Sequence, residues 1–187
     1  MEAANGSIGF PIGGIDDGVV RLRRHADSDI DAVVEATRDP EVTRWTRVPD
    51  DNTSARVSEW LAGWRRKDAS GRELHLLIAA ADDDRLLGAI GLNRLTEDGE
   101  CDIGYWLAAE ARNRGAATRA VRLFCRWIFD DLPVERIVIR AEPANPASCA
   151  VAERAGFQFE GVLRSHHELK GRRRDVASYS LLRGELS

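Results

Sequence analysis

The spacing of apolar residues changes period several times along the chain, and the changes divide it into elements. Val19–Arg24 alternates apolar and charged positions, the period of a strand with one buried face. Asp27 stands where the N-cap of a helix running to about Thr37 is expected, and Asp39-Pro40 opens a further short helix, proline being tolerated at the first helical position. After Thr53, a second cap, Val57, Trp60, Leu61 and Trp64 fall at i, i+3, i+4 and i+7 and predict one apolar helical stripe. From Glu73 the pattern shortens. Glu73–Ala81, Arg85–Leu95 and Glu100–Leu107 are Leu- and Ile-rich runs separated by Asp82-Asp83-Asp84 and Thr96-Glu97-Asp98-Gly99, the spacing of an antiparallel meander. A helical period returns from about Arg114 to Asp130, with Ala117, Val121, Phe124 and Ile128 on one stripe, and stops at Leu132-Pro133. A strand over Arg136–Ala141, a short helix over Pro146–Ala155 closed by Gly156, and two strands, Phe157–Leu169 and Asp175–Arg183, joined at Lys170-Gly171, complete the chain. Residues 1–18, rich in glycine, read as a loose, flexible arm with partial order around Phe10 and Ile12. Neither a repeat nor a linker interrupts 19–187, which predicts a single mixed α/β domain.

Composition narrows the class. A chain of 187 residues, 43% hydrophobic and 31% charged, can bury a core without disulfides or metal. Its net charge of −4 argues against a nucleic-acid binder, which usually carries a broad basic face. Cys101, Cys125 and Cys149 form no CxxC pair, and His25, His75, His166 and His167 do not stand at metal-ligand spacing with them, so no metal is expected. Met1-Glu2-Ala3 opens no signal peptide, and no apolar run approaches the ~20 residues of a membrane helix. The expected setting is a reduced cytoplasm with no membrane partner.

Candidate chemistry concentrates between Tyr105 and Thr118, where a strand runs through Arg112-x-x-Gly115-x-Ala117 into a helix. The first turn of a helix leaves N–H groups unpaired and carries about half a positive charge, and small residues at 115–117 let an anion approach them. Arg112, Arg114, Arg119, Arg122 and Arg126 accompany this stretch with no acid between Ala111 and Phe129. In an acidic protein they point to a polyanionic ligand, or, on the face opposite the apolar stripe, to a solvated helix surface. A P-loop is disfavoured, because no Gly-Lys-Ser/Thr follows.

The meander, this loop, the strand Arg136–Ala141 and the segment Asn145-Pro146-Ala147-Ser148 before Ala155-Gly156-Phe157 together resemble the GNAT acetyltransferase superfamily. Ile103-Gly104-Tyr105-Trp106-Leu107 and Glu153-Arg154-Ala155-Gly156-Phe157 resemble its RimJ/RimL-type branch, whose founding members acetylate N-terminal amines of ribosomal proteins. The resemblance implies a mixed, mostly antiparallel central sheet, splayed in the middle and flanked by helices on both faces. It implies that Arg112 and the amides of Asn113, Arg114, Gly115, Ala116, Ala117 and Thr118 hold the pyrophosphate of acetyl-CoA. The backbone at Trp106, Leu107 and Ala108 would pair with the pantetheine arm, Asn145 would contact it, and Ser148 would protonate the leaving thiolate. Many superfamily members use a tyrosine there, and the only tyrosines, Tyr105 and Tyr179, lie outside the 146–155 helix. Asn145 and Ser148 also read as an ordinary helix cap and first turn.

The expected activity is acetyl transfer from acetyl-CoA to a primary amine, such as a protein N-terminus, by direct attack in a ternary complex. A small-amine (antibiotic or polyamine) acetyltransferase and a non-catalytic acyl-CoA-binding module are the alternatives, and the resemblance allows a homodimer. Glu100 and Asp102, two apart on one strand face, are candidates for the base. Cys149, a rival nucleophile, has no base near it in sequence. Arg164, His166, His167 and Arg172-Arg173-Arg174 would attract an acidic acceptor or keep a sheet edge soluble. Trp45, Trp60 and Trp64 would wall an acceptor pocket or pack the core.

Overall fold

A computed structural model describes residues 8–186. Its strands are β1 (Ile15–Asp16), β2 (Val20–Arg23), β3 (Leu74–Ala80), β4 (Leu86–Leu95), β5 (Glu100–Leu107), β6 (Arg136–Ala141), β7 (Gln158–Leu169) and β8 (Arg172–Leu182). Its helices are α1 (Ile30–Thr37), α2 (Pro40–Trp45), α3 (Ser54–Asp68), α4 (Ala116–Asp131) and α5 (Pro146–Ala155). The strands form one sheet in the order β1-β2-β3-β4-β5-β6-β8-β7, and every neighbouring pair is antiparallel except β5 and β6. The predicted mixed, mostly antiparallel sheet with helices on both faces is what the chain forms.

The two faces follow from residue alternation. On β5, Cys101, Ile103, Tyr105 and Leu107 turn towards α4 and α5, joining the Phe124 and Ile128 stripe. Trp106 turns the other way, towards α1 and α3, with Val33, Leu61 and Trp64. Side chains such as Phe124 and Ile128, fully buried, each contribute about 1.5–3 kcal/mol relative to exposure. Trp64 is buried, stacks on His75 at 5.0 Å and meets Trp60 edge-on, so these two tryptophans belong to the core.

Local signals mostly did what their chemistry dictates. Asp39, Thr53 and Asn145 cap α2, α3 and α5 through Glu41 N, Arg56 N and Ser148 N, and Gly156 ends α5 at φ +102°. Asp27 is not the cap. Its carboxylate pairs with Arg65, and Asp29 accepts the Ala26 N–H at 2.7 Å while binding Arg23. Over its described part the N-terminal arm packs onto the domain. Ile8 and Phe10 are buried, Phe10 edge-on to Trp127 at 4.9 Å, and β1 extends the sheet beyond β2. Ile12 is fully exposed, and the rest of the arm, residues 1–7, lies outside the described residues. Apolar burial against α4 holds this glycine-rich stretch where its local propensity would not.

Candidate active site

The parallel pairing of β5 with β6 runs from Glu100↔Arg136 to Ile103↔Ile139 and goes no further. Beyond it β5 continues to Leu107 alongside β4, while β6 stays with β8 to Ala141. The sheet therefore parts into a wedge, open towards the carboxyl ends of both strands. Ala108 N donates to Leu87 O at 2.9 Å, so Trp106 and Ala108 spend their backbone groups on β4. Strand alternation turns the Leu107 N–H and C=O into the wedge instead. Of the three backbone residues expected to face a ligand there, only Leu107 does. Its carbonyl accepts Arg112 Nη2 at 3.0 Å.

That bond relocates Arg112. The same guanidinium pairs with Asp39 at 2.6 Å, so it braces the end of β5 against α2, and its hydrogen bonds lie away from the loop that follows. That loop has Asn113 at φ +60° and Gly115, the N-cap of α4, at φ +78°. Gly115 brings no side-chain cap, and a Cβ there would meet nothing within 4 Å. The first-turn amides of Ala116, Ala117 and Thr118 carry no side-chain cap among the described residues, and Asn113, Arg114 and Gly115 before them are exposed. A groove of about 460 Å³ continues from Gly115 and Thr118 along α4, lined by Arg119, Arg122, Arg126 and Arg154. Asp17 pairs with Arg119 at 2.9 Å on its rim. The chemistry of this donor set, unpaired amides plus guanidinium groups, fits a polyphosphate.

Across the wedge, Asn145 places Ser148 in the first turn of α5, and Ser148 meets a residue that sequence reasoning left without a role. Tyr105 Oη lies 3.1 Å from Ser148 Oγ and 3.2 Å from Ser148 O. Burial pushes the Tyr105 phenol up to about 12, so it stays protonated and can donate to Ser148. The spacing of 43 residues hides this pair from any local motif. Cys149 follows on α5 and directs its thiol at the Glu142 carbonyl, 3.9 Å away.

Glu100 and Asp102 are placed differently from a base. Both sit where β5 and β6 are still paired. Arg136 and Arg94 hold Glu100 at 3.0 and 3.2 Å, and Asp102 pairs with Arg140 and, at 3.5 Å, with Arg94. Opposite charges across paired strands, invisible in a one-strand pattern, engage both acids. Gly88 of β4 explains how the wedge keeps its edge. A Cβ there would stand 2.1 Å from the Trp106 carbonyl oxygen and 2.9 Å from Leu107 Cα. Gly88→Ala must displace this stretch of β5. The expected result is a loss of about 1–3 kcal/mol in chemical denaturation, together with weakened binding of any ligand paired to Leu107.

Comparison with known proteins gives this geometry its relatives. The family described as "Acetyltransferase (GNAT) domain" matches residues 20–158. A Bacillus licheniformis protein named "Uncharacterized N-acetyltransferase p20" is 29% identical over 165 residues, covering 88% of this chain and 93% of that protein. The Bacillus subtilis "Putative ribosomal N-acetyltransferase YdaF" is 38% identical over 125 residues, 65% of this chain and 66% of that protein. Among solved structures, "Mycobacterium smegmatis RimJ in complex with CoA-disulfide" superimposes with a TM-score of 0.78 at 26% identity, covering 88% of this chain and 82% of that one.

Proposed function

This chain is a member of the GNAT acetyltransferase family, in its RimJ/RimL-type branch, and from that premise we propose that it carries acetyl from acetyl-CoA to the α-amine of a protein N-terminus in the cytoplasm, by direct attack in a ternary complex. The observation that carries the reading is the wedge between β5 and β6 opening beside the uncapped, glycine-led start of α4. The α4 amides and the arginine groove take the diphosphate end of the cosubstrate. The Leu107 N–H, unspent on β4, receives the thioester oxygen and stabilises the negative charge that grows on it. Ser148, polarised by Tyr105, returns a proton to the departing sulfur. Arg112 positions Leu107 through its carbonyl.

Two considerations favour an N-terminal amine. An α-amino group ionises near 7.7–8.0 against about 10.4 for lysine, so more of it is neutral and nucleophilic at pH 7. Arg47 and Arg173 stand near His167 with the single carboxylate of Glu142 among them, a surrounding that suits one ammonium better than the several of a polyamine. Calorimetric titration with CoA, followed by mass spectrometry of a peptide and amine panel incubated with acetyl-CoA, tests the reading. Binding heat and acetylation of peptide α-amines are expected. Absence of heat with CoA, or heat with no amine modified, overturns it.

A further inference from the structure

The attacking amine must give up a proton, and Glu100 and Asp102 are engaged by arginines in the closed half of the sheet. A third carboxylate stands at the opening. Glu142 directly follows Ala141, the last residue of β6, on the strand facing β5 across the wedge. Ile139 belongs to the α4/α5 core, so Ala141, two residues on, shares that face, and Glu142 continues on the opposite one, where Trp106 also projects. Contact with Arg174 agrees, since Arg174 and the buried Val176 share that side of β8.

The Glu142 side chain is 10% exposed, and Arg174 Nη1 holds its Oε2 at 3.4 Å. Its Oε1 is buried with no hydrogen-bond partner among the described residues, and the same is true of Trp106 Nε1 and Arg174 Nε. A buried polar atom left unpaired costs about 1–3 kcal/mol, so an ion-paired Glu142 and Arg174 that each keep one such atom point to a ligand that completes them. Arg174 from β8 is the cation paired with Glu142, and His167 from β7 feels the Glu142 charge together with those of Arg47, His166 and Arg173. Burial holds the His167 imidazole below its ordinary range, and the Glu142 carboxylate opposes that shift from nearby.

We propose that Glu142 binds the acceptor ammonium and takes its proton. The inference rests on the acetyl-transfer reading above. One N–H bond of the ammonium breaks, its electron pair stays on nitrogen, and the proton goes to Glu142. That pair forms the C–N bond to the acyl carbon while the carbonyl electrons move to oxygen. Their return breaks the C–S bond, and the sulfur leaves with the proton of Ser148, which the second proton of the amine nitrogen restores by way of solvent. Arg174, anchoring one oxygen, aims the other.

Glu142→Gln and Glu142→Asp, assayed on the α-amine substrate with CoA calorimetry alongside, test the proposal. Glu142→Gln is expected to bind CoA like the parent and to transfer acetyl about 100-fold more slowly at pH 7. Glu142→Asp recovers part of the rate. The deficit narrows as pH rises to about 9.5, where an α-amine is already neutral, whereas a packing role would give a deficit that ignores pH. A Glu142→Gln rate within threefold of the parent, or a pH-independent deficit in both variants, overturns the proposal alone. A parent that binds CoA and acetylates no amine overturns the transfer reading and this role with it.

Discussion

Ser148→Ala lowers kcat for acetyl transfer by about 100-fold and leaves CoA affinity within a few-fold of the parent. The loss is that of a positioned general acid, which typically contributes 10²–10⁴. Binding is spared because the diphosphate end is held by α4, and the Ser148 backbone N–H that anchors α5 on Asn145 is kept in alanine. Tyr105→Phe should cost about 10-fold by the same route, since it removes the hydroxyl 3.1 Å from Ser148 Oγ and leaves the ring in place. The two losses should not add, because Tyr105 acts through Ser148 and the pair forms one unit. The phenol at about 12 adds a pH signature. It remains protonated through the working range, so Tyr105 contributes no alkaline decline in kcat below about pH 11. Steady-state thiol release for both single variants and the double variant decides the matter, and an unchanged rate in Ser148→Ala removes its acid role.

Gly115→Asp is expected to reduce CoA affinity by about 100-fold without unfolding the protein. The new carboxylate sits at the N-cap of α4, accepts the amides that otherwise await an anion, and repels the diphosphate. Space permits it, since a Cβ at Gly115 meets nothing within 4 Å. The left-handed φ of +78° costs about 1–2 kcal/mol for a residue with a Cβ, and a cap contributes about 0.5–2 in return, so the melting temperature should move little. Gly115→Asn is the control. It tolerates the same backbone and carries no charge, so its CoA affinity should fall by no more than about 10-fold. Equal losses in Asp and Asn would show that shape rather than charge governs the cradle.

Much of this was legible along the chain because its causes are local. Asp39, Thr53 and Asn145 cap helices through their own carboxylate, hydroxyl or amide oxygen, accepting an N–H two or three residues away. The stripe of Val121, Phe124 and Ile128 needs only helical geometry. The start of α4 was legible for the same reason, since Gly115 and the alanines after it are small and bring the helix no side-chain cap.

What local pattern could not show has the opposite character. Arg112 looks like a phosphate ligand in its motif, but Asp39, 73 positions earlier, draws it onto the end of β5. Glu100 and Asp102 look like a free acid pair until β6 delivers Arg136 and Arg140 beside them. Ile12, expected to share the order around Phe10, is fully exposed, while Trp127 from α4 buries Phe10.

The sequence by itself determined most of the elements, three of the helix caps, the antiparallel meander and the glycine-led helix start, since each depends on side chains within a turn or a strand of one another. Only the tertiary structure decided which of the chemical groups are free to act. It pairs Tyr105 with Ser148, spends the acids of β5 on arginines, and leaves one buried oxygen of Glu142 without a partner among the described residues. Charge neutralisation and hydrogen-bond saturation depend on what another strand brings within about 3 Å, and that distance is set by sheet register, which no local pattern encodes.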